Sequence, residues 1–273
     1  MNNSIGNGLA EPASRVYISL RIASAMCFIG HGIFGIITKP IWCNYFAVFG
    51  IGHDMAYRLM PIVGTMDITM GLILLLYPVR IAPLWLVIWG FVTASLRPLS
   101  GEPFAEMIER AGNYSAPLAL LFLCGGVKGS LWVRLNGPAL TDRARANALL
   151  CLRVAVFLLL LGHGWLNLTE KKGLLQQYSG LGFSEPIKTA FFVGLFEILA
   201  AAAVLVRPIR PLLLVLVIWK MGTELFYPHY ELFEWIERGG SYGCLLALYF
   251  GLNKGITVNL PQLTKTSIQT NTK

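Results

Sequence analysis

The chain carries its own sequence twice, residues 21–122 returning as residues 153–250. Arg21 with Ile29-Gly30-His31-Gly32 matches Arg153 with Leu161-Gly162-His163-Gly164, and Lys39 and Lys171 stand at the same distance beyond the histidines. Val63-Gly64-Thr65-Met66-Asp67-Ile68 then matches Val193-Gly194-Leu195-Phe196-Glu197-Ile198, Pro78 and Arg80 match Pro208 and Arg210, and Leu86-Val87-Ile88-Trp89 matches Leu216-Val217-Ile218-Trp219. The closest echo comes last, where Glu106-Met107-Ile108-Glu109-Arg110-Ala111-Gly112-Asn113-Tyr114 returns as Glu234-Trp235-Ile236-Glu237-Arg238-Gly239-Gly240-Ser241-Tyr242. Self-similarity at this length means that one structural unit is used twice.

The unit is apolar. Of the 273 residues, 55% are hydrophobic and 13% charged, against roughly 25% charged in a soluble domain. Four apolar runs in each half predict helices near residues 17–37, 59–77, 82–97, 113–127, 150–168, 188–206, 211–227 and 240–253. Several are shorter than the about 20 residues that cross a hydrocarbon core, a mismatch that tilt and interfacial Trp and Tyr absorb. The expected fold is an all-α membrane protein of eight transmembrane helices in two parallel four-helix repeats, since an even number of crossings leaves both copies facing the same way. The divisions are a polar N-terminal tail (1–16), a first repeat (17–127), a cytoplasmic linker (128–149), a second repeat (150–253) and a polar C-terminal tail (254–273). The opening lacks a basic start and a short apolar stretch, so the first span is expected to stay as an anchor.

Loop charge sets the orientation. The side that bears both termini holds about 13 basic and 2 acidic residues and the other about 8 and 9, which puts the termini in the cytoplasm; the expected location is a cell membrane, the bacterial inner membrane. The basic residues that give the net charge of +8 are scattered singly, unlike the stripe that grips nucleic acid. Cys27, Cys43, Cys124, Cys151 and Cys244 form no CxxC pair, and no disulfide framework is expected.

Ionisable groups inside a span are costly and point to function. Asp67 and Glu197 occupy matched places, each about eight residues from the external end of its helix, and His31 and His163 about six. At 1.5 Å per residue these depths are roughly 12 and 9 Å, so histidine and carboxylate share a level and form the candidate catalytic set. Around them stand Glu106, Glu109, Arg110 and Tyr114 and their copies Glu234, Glu237, Arg238 and Tyr242, as a binding or structural cluster near the external face. The bland reading is that these groups tie helices together: acidic groups favour helix starts, and Arg clasps carboxylates. Lys220 and Glu224 are four apart, close enough to pair, where the first half has Gly90 and Ala94. The matched Trp89 and Trp219 read as packing residues.

A membrane unit that opens with Arg, reaches Gly-His-Gly late in its first helix and carries Val-Gly-x-x-acid in its second resembles the DoxX-like family, here in tandem. Gly30-His31-Gly32, Gly162-His163-Gly164, Val63-Gly64-Thr65-Met66-Asp67 and Val193-Gly194-Leu195-Phe196-Glu197 carry the resemblance. Three features depart from it. The family's Lys four residues after His is Gly35 and Asn167 here, Asp67 replaces Glu, and the Glu-x-x-Glu-Arg segment is not part of its common signature. The resemblance implies an integral membrane protein associated with respiratory redox systems, with a quinone as cofactor and redox subunits as partners beside the lipid bilayer.

Three functions compete. In the first, the His, carboxylate and Tyr groups bind a quinone head group and exchange its protons, as an accessory or quinone-linked redox component. Haem held by the two histidines ranks behind this, and no metal site is nominated: Glu-x-x-Glu lacks the Glu-x-x-His spacing of di-metal bundles, and no helix carries a His pair. In the second, Asp67, Glu197 and Lys220-Glu224 line a path for a small solute or proton, although the sequence shows no Gly- or Pro-broken helix to mark it. In the third, the chain is a noncatalytic assembly subunit.

Overall fold

The computed structural model describes residues 3–139, 141–227 and 232–252. The expected C-terminal tail (254–273) lies outside the described residues. The first half contributes α1 (Asn3–Ile36), α2 (Trp42–Ala47), α3 (His53–Leu76), α4 (Ile81–Leu99), α5 (Phe104–Glu109) and α6 (Ala111–Leu123). The second contributes α7 (Asp142–Leu168), α8 (Lys172–Gly180), α9 (Pro186–Val206), α10 (Arg210–Leu225), α11 (Leu232–Glu237) and α12 (Gly239–Gly251). The elements follow one order twice, long, short, long, long, short, long.

Five of these helices are long and apolar enough to cross a membrane: α1 from Glu11, α3, α4, α7 and α9. Outward-facing Ile62, Leu72, Ile88, Leu199 and Ile218 are exposed, a surface suited to lipid. At 16 residues α10 falls short, as do α6 and α12 at 13 each. Two boundaries differ from expectation. Helix α1 reaches back to Asn3 through the expected tail, and α7 starts at Asp142 inside the expected linker, because the Thr141 hydroxyl accepts the Ala144 N–H as an N-cap.

A third difference concerns continuity. Single residues, Arg110 and Arg238, separate α5 from α6 and α11 from α12, with φ/ψ of −87°/17° and −82°/7°. The Asn113 N–H closes on the Arg110 carbonyl and the Ser241 N–H on that of Arg238, the tight i+3 bonding that marks a break. The sequence suggested no broken helix because Gly and Pro were the signal sought; here an Arg fills the break, with Gly112, Gly239 and Gly240 just beyond it.

Within each half, α1 packs on α3 and α7 on α9. A Cβ on Gly164 would stand 2.9 Å from the Gly194 carbonyl oxygen, so small residues set this backbone approach, as in membrane helix pairs. Arg21 donates to the carbonyls of Leu74 (3.1 Å) and Leu75 at the end of α3, and Arg153 to those of Val204 (3.3 Å) and Val206 (2.6 Å) at the end of α9. The repeated arginine is thus a C-cap for a neighbouring helix, answering carbonyls that have no partner in their own helix.

Between halves the exchange is reciprocal. Helices α5 and α6 lie on α7, and α11 and α12 lie on α1. The backbone of Glu109 sits on Gly162 and that of Glu237 on Gly30, so close that a Cβ on either glycine would meet main-chain atoms. Gly112 and Gly240, which match in the repeat, face each other: a Cβ on Gly112 would stand 2.6 Å from the Gly240 carbonyl carbon. One apolar core runs through both halves, from Leu20 and Leu120 to Leu152, Leu159, Leu216 and Leu248. Between α6 and α7, the segment around Leu131–Leu135 is bonded to the α3–α4 turn through Arg80 N to Val133 O, Ile81 N to Leu131 O and Leu135 N to Pro78 O.

Gly162→Ala forces main chain apart and should lower stability by about 1–3 kcal/mol. Gly222→Ala, in α10 with open space around its Cβ position, should leave stability unchanged or raise it by up to about 1 kcal/mol. Thermal unfolding in detergent reads both, and similar effects would contradict the close-packed seat.

Candidate functional site

The polar residues of the two halves gather where the broken helices meet the ends of α1 and α7. In the first half His31 Nδ1 and Asp67 Oδ2 are hydrogen-bonded at 2.7 Å. In the second, His163 Nδ1 bonds Glu197 Oε2. Each expected histidine and carboxylate pair is therefore formed within its own half.

Around the pairs the halves differ. Glu197 has a second bond, from Trp219 Nε1 at 2.9 Å to Oε1, so this Trp binds as well as packs. Asp67 is one methylene shorter. Its Oδ1 and the indole Nε1 of the matching Trp89 are both buried without a hydrogen-bond partner among the described residues. His163 is further held by Asn167, whose amide donates to the His163 carbonyl at 3.1 Å and accepts from Tyr178 OH at 2.6 Å. His31 instead packs against Trp42, with ring centroids 4.6 Å apart and the planes tilted by 32°, and no hydrogen bond to its Nε2 is formed among the described residues.

The expected Lys220–Glu224 pair is present at 2.7 Å, buried, and lies 3.9 Å from Glu197. Glu224 also meets Arg238 at 3.0 Å, and Arg238 donates to Glu109 of the first half at 2.8 Å. Glu109, His163 and Glu224 bring ligand-type atoms within 4.8 Å of one another. Arg238 already lies on both carboxylates and Lys220 on one, so their charge is answered by side chains.

The Glu-x-x-Glu-Arg segments fasten one half to the other. Lys39 pairs with Glu234, and Lys171 with Glu106 at 2.8 Å. These are the two lysines that stand at the same distance beyond the histidines. Burial lowers the pKa of Lys171, but the Glu109 and Glu106 carboxylates outweigh that and hold it above its ordinary value. Arg110 donates to Glu106 Oε2 at 2.7 Å and lies 3.4 Å from Glu109. Glu237, the copy of Glu109, has no ion pair or hydrogen bond among the described residues. The two tyrosines stand apart from this network: Tyr242 OH donates to the Trp235 carbonyl, and Tyr114 packs edge-on against Phe91.

In the first half a pocket opens beside the histidine. Its cavity of about 80 Å³ is open on one side and lies between walls that include His31, Trp42, Tyr45, Trp89, Arg97, Arg110 and Glu237. Arg97, which sequence reasoning missed, pairs with Glu102 at 3.0 Å and lies over the Tyr45 ring, 5.2 Å from its centroid. Tyr45 OH in turn donates to Glu102 at 2.6 Å. A lone Arg at the end of α4 gave no motif, and its counterpart by position is Tyr227.

No protein-family model matches this chain, and neither a curated protein nor a solved structure matches it.

Breaking a buried, paired charge costs about 3–5 kcal/mol, so Glu109→Gln, which strips a partner from Arg238, Arg110 and Lys171, should be strongly destabilising. Glu237→Gln should cost less than about 1 kcal/mol; equal losses in chemical or thermal unfolding would show that Glu237 is paired like its copy. Asp67→Glu restores the reach that Glu197 has and should gain about 1 kcal/mol from a bond to Trp89, read as a raised melting temperature.

Proposed function

We propose that this chain is a multi-pass protein of a bacterial inner membrane that binds a quinone-type ring in its first half, as a quinone-linked or accessory component of a membrane redox system. The observation that carries the reading is the pocket itself. An imidazole oriented by a carboxylate faces a cavity walled by Trp42, Tyr45, Phe46, Phe49 and Trp89. Aromatic walls suit a flat ring, and a few convergent polar groups fix its orientation. With Nδ1 committed to Asp67, the His31 Nε2 is left to hydrogen-bond a ring oxygen and to exchange a proton with it. Electrons come from a redox partner subunit.

In this reading the chain crosses the bilayer eight times as two parallel DoxX-like repeats, with both termini cytoplasmic. The five long helices support it, with α10 and the two broken helices taken as the other three crossings. The bias of Lys and Arg toward the terminal side supports the orientation. The solute-path reading loses support at Lys220 and Glu224, which are closed on each other and on Arg238.

Trp42 and Trp89 make the test optical. A short-chain ubiquinone analogue should quench tryptophan fluorescence saturably. His31→Ala and Asp67→Asn should weaken it about tenfold or more, near 1.4 kcal/mol, while His163→Ala changes it little. Identical titrations of the His31 and His163 variants would reject the assignment to the first half.

A further inference from the structure

The two halves show what the pocket lacks. In the second half the space beside His163 is taken by the Glu224 carboxylate, 3.0 Å from Arg238 and 2.7 Å from Lys220, with Glu109 and His163 within 4.8 Å. The counterparts of three of these neighbours, Arg110, Glu237 and His31, line the first-half pocket. The carboxylate has no counterpart, because Ala94 stands at that position. Lys220 has none either: its copy is Gly90, whose Cβ position lies 3.2 Å from the Phe28 ring. A second cation is nonetheless present, because Arg97 enters the same pocket from one turn further along α4.

We infer that the first-half pocket takes a ligand bearing an ionised acidic oxygen on an aromatic ring, seated between Arg97, Arg110 and His31 where the second half keeps the carboxylate of Glu224. Arg97 and Arg110 each commit Nη1 to a glutamate and form no hydrogen bond from Nε or Nη2 among the described residues, so donors are left for an anion. Arginine presents these donors as a planar fork that fits a carboxylate. Glu237 lines the same subsite without an ion pair among the described residues, so the Arg97 and Arg110 guanidiniums together must outweigh its charge for the anion to bind. The Trp and Tyr walls accept the ring. The second half is the same receptor already filled by its own chain.

This rests on the preceding reading only in taking the pocket as a ligand site, and a different probe tests it. The purified full chain in detergent is titrated calorimetrically with benzoate and with benzamide, a neutral isostere. Benzoate should bind at least about tenfold more tightly. Ala94→Glu, which gives the first half its own carboxylate, should abolish that preference, and Arg97→Gln should reduce it about tenfold. Glu224→Ala, which empties the second receptor, should be stabilised by added acetate where the parent chain is not.

Equal affinity for the two probes, or no binding of benzoate, overturns the inference, as does benzoate binding unchanged in both Ala94→Glu and Arg97→Gln. The Arg97 variant keeps the test open if the glutamate variant does not fold, since Arg97 lies at the pocket wall and not in the core. Quinone quenching without a carboxylate preference defeats this inference alone. Benzoate binding without quinone quenching defeats the quinone reading alone.

Discussion

The main chain at Glu109 rests on Gly162, and that at Glu237 rests on Gly30. The His, Glu, Lys and Arg groups of the site are arranged around this reciprocal seat. A side chain at either glycine would lift the broken helix away and carry the Glu-Arg pairs with it. With glycine there, Lys171 reaches Glu106 and Lys39 reaches Glu234, and Arg238 crosses to Glu109. The carboxylates in these contacts are mostly buried, so a counter-charge from the opposite half offsets the cost of burying them. The histidines follow, because they stand next to the same glycines and are brought to the junction with them.

Given one backbone plan, small changes divide the labour between halves. One methylene separates Glu197 from Asp67, and with it goes the bond to the indole. Two substitutions on one helix face, Lys220 for Gly90 and Glu224 for Ala94, fill one receptor and leave the other open. The filled side is tied by Trp219, Asn167, Tyr178, Lys220 and Arg238; the open side trades those ties for a cavity. A site that retains unsatisfied groups is less stable than a filled one, and a ligand that binds there recovers part of the difference.

The repeat, the apolar helices and the pairing of each histidine with its carboxylate were legible in the sequence, because duplication marks the matched residues and the cost of burial forces such groups to find partners. The Lys220–Glu224 pair was legible from helical spacing alone. The broken helices were not, since the break is made by main-chain dihedrals at an arginine and not by proline. Nor was the role of the Glu-x-x-Glu-Arg segments, whose partners Lys39, Lys171 and Arg238 lie in the opposite half, far beyond the reach of helical spacing. The signal was present in the shared offset of Lys39 and Lys171, but only the contact between halves gives it meaning. Arg97 had no copy to call attention to it.

A receptor assembled from two identical chains would face a restriction that this one escapes. Every substitution in such a pair appears at both junctions, so a glutamate that seals one would seal the other, and an alanine that opens one would open both. Here the stretch between α6 and α7 joins the copies covalently and is itself bonded to the α3–α4 turn. Covalent continuity lets Ala94 and Glu224 coexist in every molecule, with the sealed junction serving as a permanent brace for the vacant one.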